Sequence, residues 1–90
     1  MEAIPNRILR ESSDPSLRVT VRVGKSGPTD AIIVELKNQL ETRELVKLKA
    51  NRGIVGSSGE RAELFSSIAT ETESRLVFQR GNVAVFWSGR

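Results

Sequence analysis

Apolar and polar positions along the 90 residues alternate in two different periods. Val19, Val21 and Val23 alternate with Thr20 and Arg22, which predicts a half-buried strand over about Arg18 to Val23. Ile32, Ile33, Leu36 and Leu40 recur at helical spacing and predict an amphipathic helix over about Thr29 to Thr42. From Glu44 to Ala50 the period returns to two. Val46, Leu48 and Ala50 make one face of that strand, and Leu45, Lys47 and Lys49 the other. Leu64, Phe65, Ile68 and Ala69 form the stripe of a second long helix, about Glu60 to Thr72. Two strands close the chain, about Arg75 to Arg80 and Asn82 to Trp87, with Gly81 and Asn82 as the hairpin signal between them. Leu76, Val77 and Phe78 are consecutive, so alternation leaves open which side of that strand is buried.

The first 17 residues carry a weaker pattern. Ile4, Ile8 and Leu9 could line a short helix beginning near Pro5, which a breaker cluster at Ser12 to Pro15 would end. A loosely docked terminus fits the same residues. Asn51 to Gly59, with Gly53, Gly56 and Gly59, reads as a connector. The order is β-α-β-α-β-β, a single α+β domain over residues 1–90. Two amphipathic helices can cover one face of a four-stranded mixed sheet, giving two layers. Arg18, Thr20, Arg22, Lys47 and Lys49 are then expected on the opposite, solvent face.

Composition narrows the chemistry. The chain holds no cysteine and no histidine. Disulfides and thiol chemistry are excluded, and the commonest general base and metal ligand are missing together. No apolar run is long enough to span a membrane and no secretory leader pattern is present. The expectation is a soluble, cytoplasmic protein without metal or cofactor. The net charge is only +3, but its distribution is uneven. Residues 15–29 hold Arg18, Arg22 and Lys25; residues 45–59 hold Lys47, Lys49 and Arg52; residues 74–90 hold Arg75, Arg80 and Arg90. None of these strand regions contains an acid. A basic sheet side and an acidic helix side follow, and an acid-free face favours a polyanion.

The densest signal lies where the first strand meets the first long helix. Gly24, Lys25, Ser26 and Gly27 follow the strand at once, and Pro28, Thr29 and Asp30 open the helix. Two glycines let a ligand approach backbone without a Cβ in the way. The helix start adds unpaired N–H groups and partial positive charge, and Lys25 a whole charge. Together they favour a phosphate. Either Thr29 or Gly27 could be the N-cap. Asp30 would repel an anion on the helix axis, so the expected position is over the loop, to one side. A Walker loop is excluded because Val19 stands where its first glycine must be. A KH-type Gly-x-x-Gly loop joins two helices, whereas a β-branched run precedes this one. A turn without a ligand is the remaining plain reading. Phe78, Phe86 and Trp87 read as core before they read as base-stacking platforms.

These residues resemble the CRM domain (chloroplast RNA splicing and ribosome maturation), in particular its single-domain YhbY-like members. The likeness runs from about Arg22 to Trp87. It is carried by Val23 to Gly27 with Thr29 to Ile33, by Glu44 to Lys49, by Ile68 to Thr72, and by Gly81 to Trp87. Four matches in order are far more specific than any one. The resemblance implies a fold like the C-terminal domain of bacterial initiation factor three. It also implies RNA binding and association with precursors of the large ribosomal subunit. It carries an RNA-contacting role onto Gly24, Lys25, Ser26 and Gly27. Departures are the reduced leading helix, Pro28 where leucine is frequent, a longer Asn51 to Gly59 loop, and Glu73 with Ser74 where a glycine usually ends the helix.

The resulting expectation is a non-enzymatic RNA-binding protein whose contacts are Gly24, Lys25, Ser26, Gly27, Arg18, Arg22, Lys47, Lys49 and Arg52. Ribosomal RNA or a pre-ribosomal particle is the expected partner, with no membrane or small-molecule substrate. A KH-like or RNA-chaperone module and a protein-interaction module using the helix layer are the alternatives. An enzyme would have to be built on Lys25 and Ser26, with no base beside them.

Overall fold

The computed structural model describes residues 3–51 and 58–89. The elements are α1 (Asn6–Ser12), β1 (Val19–Val23), α2 (Asp30–Thr42), β2 (Leu45–Ala50), α3 (Ser58–Glu71), β3 (Arg75–Arg80) and β4 (Val83–Trp87). They follow the predicted order, with boundaries within two residues of those read from the pattern. No helix among the described residues is long and apolar enough to cross a membrane.

The four strands form one mixed sheet in the order β1-β2-β4-β3. β1 and β2 are parallel, and β4 runs antiparallel to both β2 and β3. On one face Val21, Val23, Val46, Leu48, Ala50, Ala84 and Phe86 meet Leu36 and Leu40 of α2 and Phe65, Ile68 and Ala69 of α3. Phe65, Ile68, Leu36, Leu48 and Phe86 are wholly buried there. This is the helix face, and it supplies most of the hydrophobic stabilisation.

Two bulges account for what alternation missed. The β1–β2 register shifts between Val19 and Val21. Val19 therefore pairs with Lys47, and Thr20 turns toward α2. The Thr20 hydroxyl donates to Gln39 Oε1, and Gln39 Nε2 donates to the Thr20 carbonyl at 3.3 Å. Thr20 is thus not on the solvent face that strict alternation assigns it; the extra residue of a bulge resets the period. A second shift lies between Leu76 and Phe78. Leu76 pairs with Phe86 on the helix face and Phe78 with Val85 on the outer face. The bulge at Val77 explains how three consecutive apolar residues fit one strand.

The outer face is not uniformly open. Val85 is wholly buried and Trp87 is 7% exposed, although both alternate away from α2 and α3. α1 packs against β3, and its Ile8 is fully buried outside the main core. It forms a partial third layer over this end of the sheet. The Arg7 guanidinium donates to both Glu44 oxygens at 2.8 and 2.9 Å and also reaches Glu11 at 2.8 Å. That fork anchors α1 to the start of β2 and holds the Glu44 carboxyl below the usual carboxylate range. The connector is fixed by Asp14, whose carboxylate accepts the Ser16 N–H at 2.8 Å and is held low chiefly by that bond.

α3 ends on Glu73 at φ 56°. The Glu73 N–H bonds Thr70 O at 3.2 Å and the Ser74 N–H bonds Ala69 O at 2.9 Å. This pair of bonds is the Schellman stop, formed here with a glutamate at the left-handed position that glycine usually takes.

Candidate nucleic-acid interface

β1 ends at Val23, and the chain turns through Gly24, Lys25, Ser26 and Gly27 into α2. The Gly27 N–H donates to the Gly24 carbonyl at 3.0 Å and closes a β-turn. Gly27 has φ +79°, a conformation that favours glycine because a Cβ would crowd the backbone. Thr29 is the N-cap: its hydroxyl accepts the Ile32 N–H at 3.4 Å. Gly24, Lys25 and Ser26 are exposed and Gly27 is buried. A Cβ built on Gly24 meets nothing within 4 Å. The exposed part of the loop, Gly24 to Ser26, is therefore open to a ligand, whereas Gly27, also expected as a contact, is buried and serves the turn. A strand, not a helix, leads into it, which sets the KH arrangement aside.

Beside the loop lies an open groove of about 510 Å³ lined by Arg22, Val23, Gly24, Lys49, Ala50 and Asn51. It sits at the carboxyl ends of the parallel strands, where ligands of parallel sheets commonly bind. The Asn51 N–H donates to the Val23 carbonyl at 2.8 Å and ties the two strand ends together. Arg22 and Lys49 are direct partners across β1 and β2, and both are exposed. Like charges on paired positions repel, and an anion between them reverses the sign.

The other nominated residues divide. Lys47 is half-buried, and its Nζ donates to the Leu17 carbonyl at 3.1 Å. It holds the α1–β1 connector and is not the free solvent-facing cation that alternation implies. Arg18 is exposed but precedes β1. Four strand residues place it about 13 Å from Arg22, away from the groove. Arg52 lies outside the described residues, as do Gly53 and Gly56 of the connector.

Every aromatic side chain is accounted for. Phe65 and Phe86 are fully buried and Trp87 nearly so; Phe78 is half-buried. The Arg75 guanidinium lies 5.9 Å from the Trp87 ring centroid, within cation–π range. Phe65, Phe86 and Trp87 are therefore closed to base stacking.

A family profile described as the CRS1 / YhbY (CRM) domain matches residues 7–88. A comparison with curated proteins finds no match. Among solved structures, the chain is similar to the hypothetical protein SAV1595 of Staphylococcus aureus, whose solution structure is described as that of a candidate RNA-binding protein. The two are 27% identical with a TM-score of 0.64, over 90% of this chain and 77% of the other.

Proposed function

This chain belongs to the CRS1 / YhbY (CRM) domain family, and we propose that it is a non-enzymatic, cytoplasmic RNA-binding protein acting on precursor ribosomal RNA during large-subunit assembly. One observation carries the binding reading. Gly24, the first residue of the turn, and the paired cations Arg22 and Lys49 border a single groove at the carboxyl ends of the parallel strands. Exposed amide backbone, Lys25 and two like-charged neighbours form a receptor for phosphates. Family membership and the description of the staphylococcal neighbour support RNA as the polyanion. The ribosomal part of the reading comes from the family resemblance. The non-enzymatic part comes from chemistry: the chain has no histidine or cysteine.

Binding through the groove is tested by the double variant Arg22→Gln/Lys49→Gln. Two lost phosphate contacts should shrink the slope of log affinity against log salt by about 1.4–1.8. The loss should be similar across RNA sequences, since phosphate contacts carry no base information. An unchanged slope in a folded double variant contradicts the site. Crosslinking the protein to RNA in its native cells and sequencing the fragments tests the ribosomal assignment. Enrichment of messenger or transfer RNA without ribosomal RNA contradicts it.

A further inference from the structure

The strands contain five cations and no acid: Arg22, Lys47, Lys49, Arg75 and Arg80. The pairing registers put all five on the outer face, away from α2 and α3. Two have internal uses, Lys47 on the Leu17 carbonyl and Arg75 over the Trp87 ring. The other three share one level. Arg22 pairs with Lys49, Lys49 with Val83, and Val83 with Arg80. Arg22, Lys49, Val83 and Arg80 therefore form one row across all four strands. Three strand spacings give it a length of about 14 Å. Arg22, Lys49 and Arg80 are exposed, and none forms an ion pair among the described residues. α1 is anchored at the opposite end of β2, through Glu44, which leaves this row uncovered by it. The row shares its end of the sheet with the loop of Gly24 to Gly27.

We infer that the RNA surface does not stop at the groove but crosses the whole sheet, with Arg80 as its far anchor on the sugar–phosphate backbone. This rests on the RNA-binding reading and extends it to a residue that neither the loop motif nor the groove includes. A 14 Å bar of charge spans more than one phosphate of a strand, so the loop and the row engage successive backbone positions together. Phe65, Phe86 and Trp87 are withdrawn from the surface, and the cations of the row offer contacts to phosphate and sugar.

The test uses the full chain, a fluorescein-labelled RNA hairpin and a labelled poly(U) strand, read by anisotropy over a salt series. Arg80→Gln should reduce the salt slope by about 0.7–0.9 on either probe. Arg80→Lys should restore most of it, because charge and not fork geometry is required. Lys37→Gln removes one positive charge from the helix layer and should leave the slope unchanged. Arg80 is exposed near the end of β3, so thermal stability should not move in its variants. A wild-type slope in Arg80→Gln, with a reduced slope in Arg22→Gln/Lys49→Gln, overturns the extension and leaves the groove standing. Equal slope losses in Arg80→Gln and Lys37→Gln make the effect one of net charge and also overturn it. Failure of the wild-type chain to bind either probe removes the RNA reading itself.

Discussion

Gly24 and Gly27 stand three residues apart in one turn and meet different constraints. Gly27 sits at φ +79°, while Gly24 has an ordinary φ and open space where a Cβ would go. Gly27→Ala should destabilise the fold by about 1–2 kcal/mol, the strain of a left-handed alanine. Gly24→Ala should leave the thermal midpoint unchanged and weaken RNA binding, because only a ligand would meet the new methyl group. Thermal melts with anisotropy titrations separate the two. An RNA affinity unchanged in Gly24→Ala would mean that RNA does not approach that backbone closely. The loop and its glycines were legible in the sequence because spacing and residue type state the turn directly. The roles of single cations were less so. Lys47 and Lys49 look equivalent by alternation, yet Lys47 bonds the Leu17 carbonyl and Lys49 faces the groove. That difference depends on where a connector 30 residues away is laid.

At the scale of elements, α1 is the part that pattern reading left undecided. A seven-residue helix is too short to be stable alone. Its stability comes from tertiary contact: Ile8 buried against the outer face and Arg7 forked on Glu44. Neither contact has a local sequence signature. The bulges in β1 and β3 were hidden for the same reason, since an extra residue breaks the period that reveals a strand. Long, strongly periodic elements such as α2 and β2 were legible almost to the residue. Ile8→Ala should destabilise the chain by about 2–5 kcal/mol. It should also shift the emission of Trp87, the sole tryptophan, toward the red. Urea titration followed by that emission reads both. The acid side should act on the same element. The Glu44 and Asp14 carboxyls have folded pKa values below their ordinary ones. Their contribution is fully present above the ordinary carboxylate range, about pH 4–5, and is lost as pH falls through the lower folded values. The drop in urea midpoint from pH 7 to pH 3 should therefore be smaller in Glu44→Gln/Asp14→Asn than in the wild type. An equal drop in both would mean that these carboxylates do not couple α1 to pH.

Across the whole molecule, charge is sorted by layer. All strand cations lie on the outer face, and acids such as Asp30, Glu35, Glu60, Glu63 and Glu71 lie on α2 and α3. A polyanion approaching this molecule is steered to one side and repelled from the other. α1 then divides the favoured side, covering the end near Glu44 and leaving the end near the glycine turn. The proposed RNA surface is therefore one end of the outer face, and NMR on the uniformly labelled chain reads that location residue by residue. Titration with the RNA hairpin should shift the backbone amides of Arg22, Gly24 to Gly27, Lys49, Asn51 and Arg80. Amides on the exposed faces of α2 and α3 should stay in place. Shifts concentrated on α2 and α3, with the loop and the row unmoved, would contradict it.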